Sequence, residues 1–236
     1  HDLRQALVDF KESGQFIYAY ADPYTQGGYY ISSVADTVLV NPQGGIDWHG
    51  MSSQPMFYKD VLAKVGVKMQ VFKVGTYKSA VEPFICTEMS EANREQVTAF
   101  LTDIWQQMLV DVSASRHIKQ ADLNAYADSF TLFRPTDQLL EWKLADKTAY
   151  IDEVRTLLRE KMELTEDDKL NFVSPATVAK AEDPDKIDGK DKVAVYYAYG
   201  DIVVSSSPAS GLTGDEHCIA SEQVVQDLRN LREDKN

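Results

Sequence analysis

The sequence predicts an α/β fold with a parallel sheet, and three observations predict it. Short strand-like runs alternate with segments of helical period, as repeated βα units require. The runs close on glycine- or proline-bearing turns, at Gly27-Gly28 and Asn41-Pro42. A length of 236 residues, 44% hydrophobic and 26% charged, carries enough apolar surface for a core. In order, Leu3, Ala6, Leu7 and Phe10 stand at helical spacing, and Ser13-Gly14 ends that helix with a glycine suited to a C-terminal cap. Phe16 to Ala21 is rich in aromatic residues and reads as a strand, followed by the turn-forming Asp22-Pro23-Tyr24-Thr25-Gln26-Gly27-Gly28 and a second apolar stretch from Tyr29 to Val34. Val38-Leu39-Val40 is a short buried strand closed by Asn41-Pro42.

Alternation at Val67, Met69 and Val71 predicts a strand from Val67 to Val74, which Gly75 breaks just before Thr76-Tyr77-Lys78-Ser79. After Pro83 comes a long helix, signalled by Ser90-Glu91 and by the stripe Val97, Phe100, Leu101, Ile104, Met108, Leu109, Val112. Two more helical patterns lie around Pro135 to Leu144 and Ile151 to Met162. Glu182 to Asp191, acidic and holding Pro184 and Gly189, reads as an exposed linker. A strand from Val193 to Tyr199 follows, then a loop from Ser205 to Gly214 and a helix with Val224, Val225, Leu228 and Leu231. A helix with no strand before it at one end, and one with no strand after it at the other, predict an excised segment: the rear of one unit and the front of the next.

The chain has 24 Lys and Arg against 37 Asp and Glu, a net charge of −13 with no basic block, which argues against a nucleic-acid surface. No apolar run reaches the roughly 18 to 20 residues of a membrane span, and the first ten residues carry no signal-peptide pattern, so any anchor lies elsewhere. Cys86 and Cys218 have neither CxxC nor Cys/His spacing, which points away from a disulfide framework and a zinc site. Of the four histidines, His49 after Asp47-Trp48 is the best placed for a Ser-His-Asp arrangement, yet it reads as a loop histidine; His217 beside Cys218 does not make a Cys-His pair, because adjacent side chains rarely meet one reacting atom.

Gly75-Thr-Tyr-Lys78-Ser79 fails as a phosphate loop because Tyr77 stands where the glycine before the lysine is needed. Two readings of Lys78 remain. It is a surface lysine, or it is a proton acceptor whose neutral amine is favoured by burial among Val74, Tyr77, Ala80, Val81 and Phe84. Gly27-Gly28 is open in the same way, either as backbone N–H groups facing an anion or oxyanion or as a tight turn with close helix packing.

Phe72-Lys-Val-Gly-Thr-Tyr-Lys78-Ser-Ala-Val-Glu-Pro-Phe84 closely resembles the lysine segment of the long-form signal peptide peptidase A family, also called protease IV: bacterial membrane-bound Ser-Lys peptidases of the ClpP/crotonase-like fold. Tyr24-Thr-Gln-Gly-Gly-Tyr-Tyr-Ile31, Ala35-Asp36 and Asn41-Pro42-Gln43-Gly44 resemble the first of that family's two repeats, and the similarity covers most of the chain. The resemblance implies that residues 1–181 are most of the lysine-bearing repeat and that 192–236 begin the serine-bearing one, cut before its nucleophile. It implies that Lys78 is the general base, and that Gln26 occupies the nucleophile's place in this repeat, where a carboxamide cannot attack. Ser79 is then a local hydrogen-bonding group rather than the dyad partner, with Thr76 and Tyr77 supporting residues.

The same resemblance implies cleavage of signal peptides or similar apolar segments, with no cofactor and no metal. It also implies a ring-like homo-oligomer, a tetramer, in the bacterial cell envelope, anchored in the cytoplasmic membrane with the soluble part on the periplasmic side. A catalytically dead repeat serving assembly or binding is the alternative. An acyl-CoA enzyme on the same fold is the third, and no residue here is specific to adenine or pantetheine.

Overall fold

The computed structural model describes residues 2–165, 168–178, 196–199, 201–203 and 218–233. Residues 1–170 and 171–236 form two compact units. The first unit opens with α1 (Asp2–Glu12), β1 (Tyr18–Ala21), α2 (Gln26–Ser32) and β2 (Thr37–Val40). Next come α3 (Lys59–Lys64), α4 (Glu82–Ile85), the long α5 (Glu91–Arg116), α6 (Gln120–Ala127), a 3-10 turn at Thr131–Phe133, α7 (Thr136–Glu141), β3 (Lys147–Thr148) and α8 (Ile151–Lys161). The second unit has α9 (Pro175–Val178), β4 (Asp201–Val203), β5 (Cys218–Ala220) and α10 (Ser221–Glu233).

The sheet of the first unit is parallel throughout, in the order β1-β2-β3, with Tyr18 opposite Thr37 and Val40 opposite Thr148. Side chains of a strand alternate between faces, and the two faces here are distinct. Val38 and Val40 pack with Tyr24, Tyr29, Trp48 and the α5 residues Met108, Leu109 and Val112. Leu39 turns to the opposite face, with Tyr18, Tyr20, Ala149 and the α8 residues Val154, Leu157 and Leu158. The central strand is therefore covered on both sides, as a parallel sheet requires, and reads as an unbroken apolar run. In the second unit β4 pairs with β5, also in parallel, with Ile202 opposite Ile219. The predicted α/β class with a parallel sheet stands.

Buried charge ties the helices to this sheet. Arg116, on the last turn of α5, makes a two-pronged pair with Asp146 at 2.7 and 2.9 Å and also donates to the Lys143 carbonyl. Asp146 in turn accepts from the Val38 backbone N–H at 2.7 Å, so one carboxylate joins the helix end to the central strand. Arg4 of α1, only 4% exposed, donates to the Tyr30 carbonyl, Ser33 Oγ, the Asp111 carbonyl and Ser115 Oγ. Desolvation lowers the affinity of this guanidinium for its proton, and the nearby Asp111 carboxylate opposes that. The apolar stripe predicted for α1 is not its buried face: Leu3 and Phe10 are exposed, and the helix docks through Arg4.

Two strand predictions need correction. Val67 to Val74 joins neither sheet and is irregular, exposed except for the half-buried Val71, with Phe72 at 96% and Val74 at 90% exposure. Alternation marks what a segment is able to form, but a strand needs a neighbouring edge for its N–H and C=O groups. The predicted strand at Val193 to Tyr199 is not one where it is described: Tyr196 to Tyr199 is irregular, and β4 begins at Asp201, while 193–195 lie outside the described residues. The linker 182–191, the loop 205–214 and His217 also lie outside the described residues. Among the described residues no helix is long and apolar enough to cross a membrane.

Candidate functional site

Residues 51–90 form an arm on which many apolar side chains, Met56, Val61, Val65, Met69, Phe72 and Val74 among them, are exposed. Tyr58 stacks on Phe84 with ring centroids 6.1 Å apart, and its N–H donates to the Pro83 carbonyl, which fastens the start of α3 to α4. Gly75, with φ +98°, begins the turn that leads to Lys78, a backbone conformation that glycine takes without strain. Lys78 is exposed and lines an open cleft of about 470 Å³ with Phe72, Lys73, Val74, Tyr77, Ser79, Ala80 and Val81. The expectation that its neighbours bury it fails within this chain, because Val74, Tyr77 and Phe84 are themselves solvent-facing.

Two contacts fix this turn to the N-terminal end of α5. Tyr77 donates its hydroxyl to Glu95 at 3.1 Å, and that hydrogen bond to a carboxylate raises the phenol's affinity for its proton. Glu82 is 2% exposed and accepts from Ser90 Oγ at 2.6 Å, Ser90 N at 3.2 Å and Asn93 Nδ2 at 3.0 Å. The Ser90 hydroxyl bond is the main reason its carboxyl lies below the ordinary range, with further help from the Ser90 N–H, Asn93 and the nearby Lys73 charge. Ser90 is also the N-cap of α5, its Oγ accepting from Asn93 N at 3.2 Å. Sequence reasoning found that cap but missed Glu82. No local pattern marks an acid that is buried by residues eight and eleven positions further on. Ser79 lines the same cleft as Lys78, and its carbonyl accepts from Glu82 N at 2.9 Å.

The Gln26 region is closed rather than open. Thr25 caps α2 and its hydroxyl takes the Gly28 N–H at 3.2 Å, so that donor is spent inside the turn and the oxyanion reading at Gly28 loses it. Gly27 and Gly28 belong to the first turn of α2 rather than to the loop before it. The Gln26 Oε1 accepts from two successive backbone N–H groups, His49 at 2.8 Å and Gly50 at 2.9 Å, while its Nε2 donates to the Gly50 carbonyl at 2.9 Å. The carboxamide therefore clamps the loop after β2 to the start of α2. Gln26→Ala is expected to destabilise the chain by about 1–3 kcal/mol, since three part-buried backbone groups lose their partner. Thermal unfolding followed by circular dichroism measures this; an unchanged midpoint would contradict the clamp.

His49 Nδ1 lies 2.7 Å from Asp47 Oδ1 on a largely exposed ring, in keeping with a loop histidine. His117 ends α5 in the left-handed region, at φ 53°. Cys86 is a free thiol at the end of α4. Among the described residues no cluster of three or more His, Cys, Asp or Glu could hold a metal ion.

The fold and the arm define a class: a parallel α/β domain that presents a lysine on an apolar, tethered turn. The chain belongs to peptidase family S49, whose model matches residues 9–165. It is 43% identical over 121 residues to Protease 4 of Salmonella typhi, covering 51% of this chain and 20% of that one. It is 41% identical over 115 residues to Protease 4 of Haemophilus influenzae, covering 49% and 19%. Against the chloroplastic serine protease SPPA of Arabidopsis thaliana it is 28% identical over 236 residues, covering 99% and 34%. The chain thus spans about a fifth to a third of the length of the relatives it matches. The resemblance to the signal peptide peptidase A family stands.

Proposed function

We propose that this chain is the base-bearing part of a serine peptidase, in which Lys78 acts as the neutral amine that deprotonates a serine supplied from outside these 236 residues. The serine attacks the peptide carbonyl, its proton passes to Nζ of Lys78, and the same proton then goes to the leaving amine as the carbon–nitrogen bond breaks. The observation that carries this reading is the Lys78 cleft. Lys78, beside Lys73 and Ser79, lines an open, mostly apolar surface in a chain of a peptidase family, and the relatives are three to five times longer than the stretch matched. Covering that surface with the rest of the protein would remove water from the amine and favour its neutral form.

On this reading residues 1–181 are most of the lysine-bearing repeat of a ClpP/crotonase-like pair, 182–191 the linker and 192–236 the beginning of the serine-bearing repeat. The substrates are signal peptides or similar apolar segments. The working assembly is a membrane-anchored homo-oligomer, a tetramer, on the periplasmic face of the cytoplasmic membrane. A second reading, a catalytically dead repeat serving assembly or binding, is favoured by one observation: the Gln26 carboxamide in the nucleophile's place is fully engaged as a clamp.

Fluorophosphonate labelling of the full-length protein tests the proposal. The label is expected on one serine outside residues 1–236. Labelling at Ser79, or at no serine in an active preparation, would contradict it.

A further inference from the structure

Lys78 is exposed and the arm around it packs little, so something must hold the amine in place for proton transfer. General-base catalysis needs a heavy-atom separation of about 2.6–3.2 Å, and a misplacement near 1 Å costs on the order of 10²-fold. The side chains that fasten the arm on either side of Lys78 are Tyr77, the residue before it, and Glu82, four residues after it. Both reach the first turns of α5, at Glu95 and at Ser90 and Asn93. The far half of that helix is fixed in the core by Met108, Leu109 and Val112, and its last turn is held by Arg116.

Glu82 is the stronger of the two tethers. It is buried where the rest of the arm is exposed or half-buried, and three donors converge on its carboxylate. The Tyr77 bond also ends on a carboxylate, so the difference lies in number and burial: three donors on a buried acceptor against one on an exposed acceptor. The tether is also short along the chain, because the Glu82 N–H holds the carbonyl of Ser79, the residue directly after Lys78. We propose that Glu82, assisted by Tyr77, is a positioning residue for Lys78: its buried carboxylate latches the lysine turn to the capped end of α5 and sets where the amine stands. The inference rests on the reading of Lys78 as general base.

The test uses the full-length protein and the variants Glu82→Gln, Glu82→Asp, Glu82→Ala, Tyr77→Phe and Lys78→Ala. Peptide hydrolysis is measured per serine titrated to completion by a fluorophosphonate, so that unfolded molecules do not count. Hydrogen exchange is read at residues 72–82 and, as an internal control, at 104–112. For Glu82→Ala the expected result is a fall in kcat of about 10²-fold with KM changed less than about threefold, faster exchange at 72–82 and unchanged exchange at 104–112. Glu82→Asp is expected to recover part of the loss, and Glu82→Gln to fall between. Tyr77 is exposed, so Tyr77→Phe removes only the Glu95 bond and is expected to lower kcat a few-fold even if the Glu82 variants fold poorly.

A titrated kcat unchanged in both Glu82→Ala and Tyr77→Phe, with Lys78→Ala inactive, overturns the positioning role while leaving Lys78 as base. Faster exchange at 72–82 without loss of kcat overturns it as well. Activity that survives Lys78→Ala overturns the parent reading instead, an outcome distinct from both.

Discussion

Trp48→Ala is expected to destabilise the first unit by about 3–5 kcal/mol, a large share of the roughly 5–15 kcal/mol that holds a typical domain together. Trp48 is fully buried in the loop after β2, where several elements meet. Its ring lies edge-on to Tyr29 of α2 at 5.8 Å and tilted against Trp105 of α5 at 4.9 Å. Its indole N–H donates to the Leu123 carbonyl of α6 at 2.9 Å, and its backbone N–H donates to Thr131 Oγ1, also at 2.9 Å. Alanine leaves a cavity between α2, α5 and α6 and strips the Leu123 carbonyl of its donor. Trp48→Phe restores much of the ring contact but not the donor, and is expected to cost about 1–3 kcal/mol. Urea unfolding followed by far-ultraviolet circular dichroism separates the two; equal midpoints for both variants and the parent chain would contradict this account of the core.

Where local chemistry decides the structure, the sequence was legible. Ser90 marked the start of α5 and the stripe to Val112 all but its last turn, which runs on to Arg116, because a cap and a helical period are local signals. Val38-Leu39-Val40 marked the central strand, because a strand buried on both faces has to be apolar throughout. β3 left no trace: Lys147 and Thr148 are strand only because Leu39 and Val40 offer them an edge. The same dependence on a partner explains the opposite error at Val67 to Val74, where the alternation exists but the segment pairs with no strand among the described residues. Arg4 and Glu82 were invisible for a related reason. Burying a charge becomes tolerable only when the fold brings several hydrogen-bonding partners together, and neither residue has those partners within its own local pattern. At the candidate site, the lysine segment was legible as a motif, and Gln26 as a residue unable to attack. Their tethers, Tyr77 to Glu95 and Gln26 to His49 and Gly50, came only with the structure.

Lys78→Ala is expected to lower kcat/KM of the full-length protein by about 10²- to 10⁴-fold, the usual contribution of a positioned general base. Stability should hardly change, because the side chain is exposed and substitutions at such sites stay within about 0.5 kcal/mol. That separation between lost activity and kept fold is what distinguishes a catalytic lysine from a structural one. Lys78→Arg sharpens it. An arginine keeps the positive charge and much of the reach but remains protonated at any working pH, so it cannot accept the serine's proton. If Lys78 served only to attract substrate by its charge, Lys78→Arg would remain active; as general base, it is expected to be as impaired as Lys78→Ala. The assembly-module reading predicts no loss of hydrolysis with either variant.

The most direct measurement is therefore peptide hydrolysis by the full-length protein beside its Lys78→Ala and Lys78→Arg variants, each shown to be folded by its unfolding midpoint. Loss of activity in both variants, at an unchanged midpoint, is the result predicted for a base held on this arm; full activity in either would contradict it.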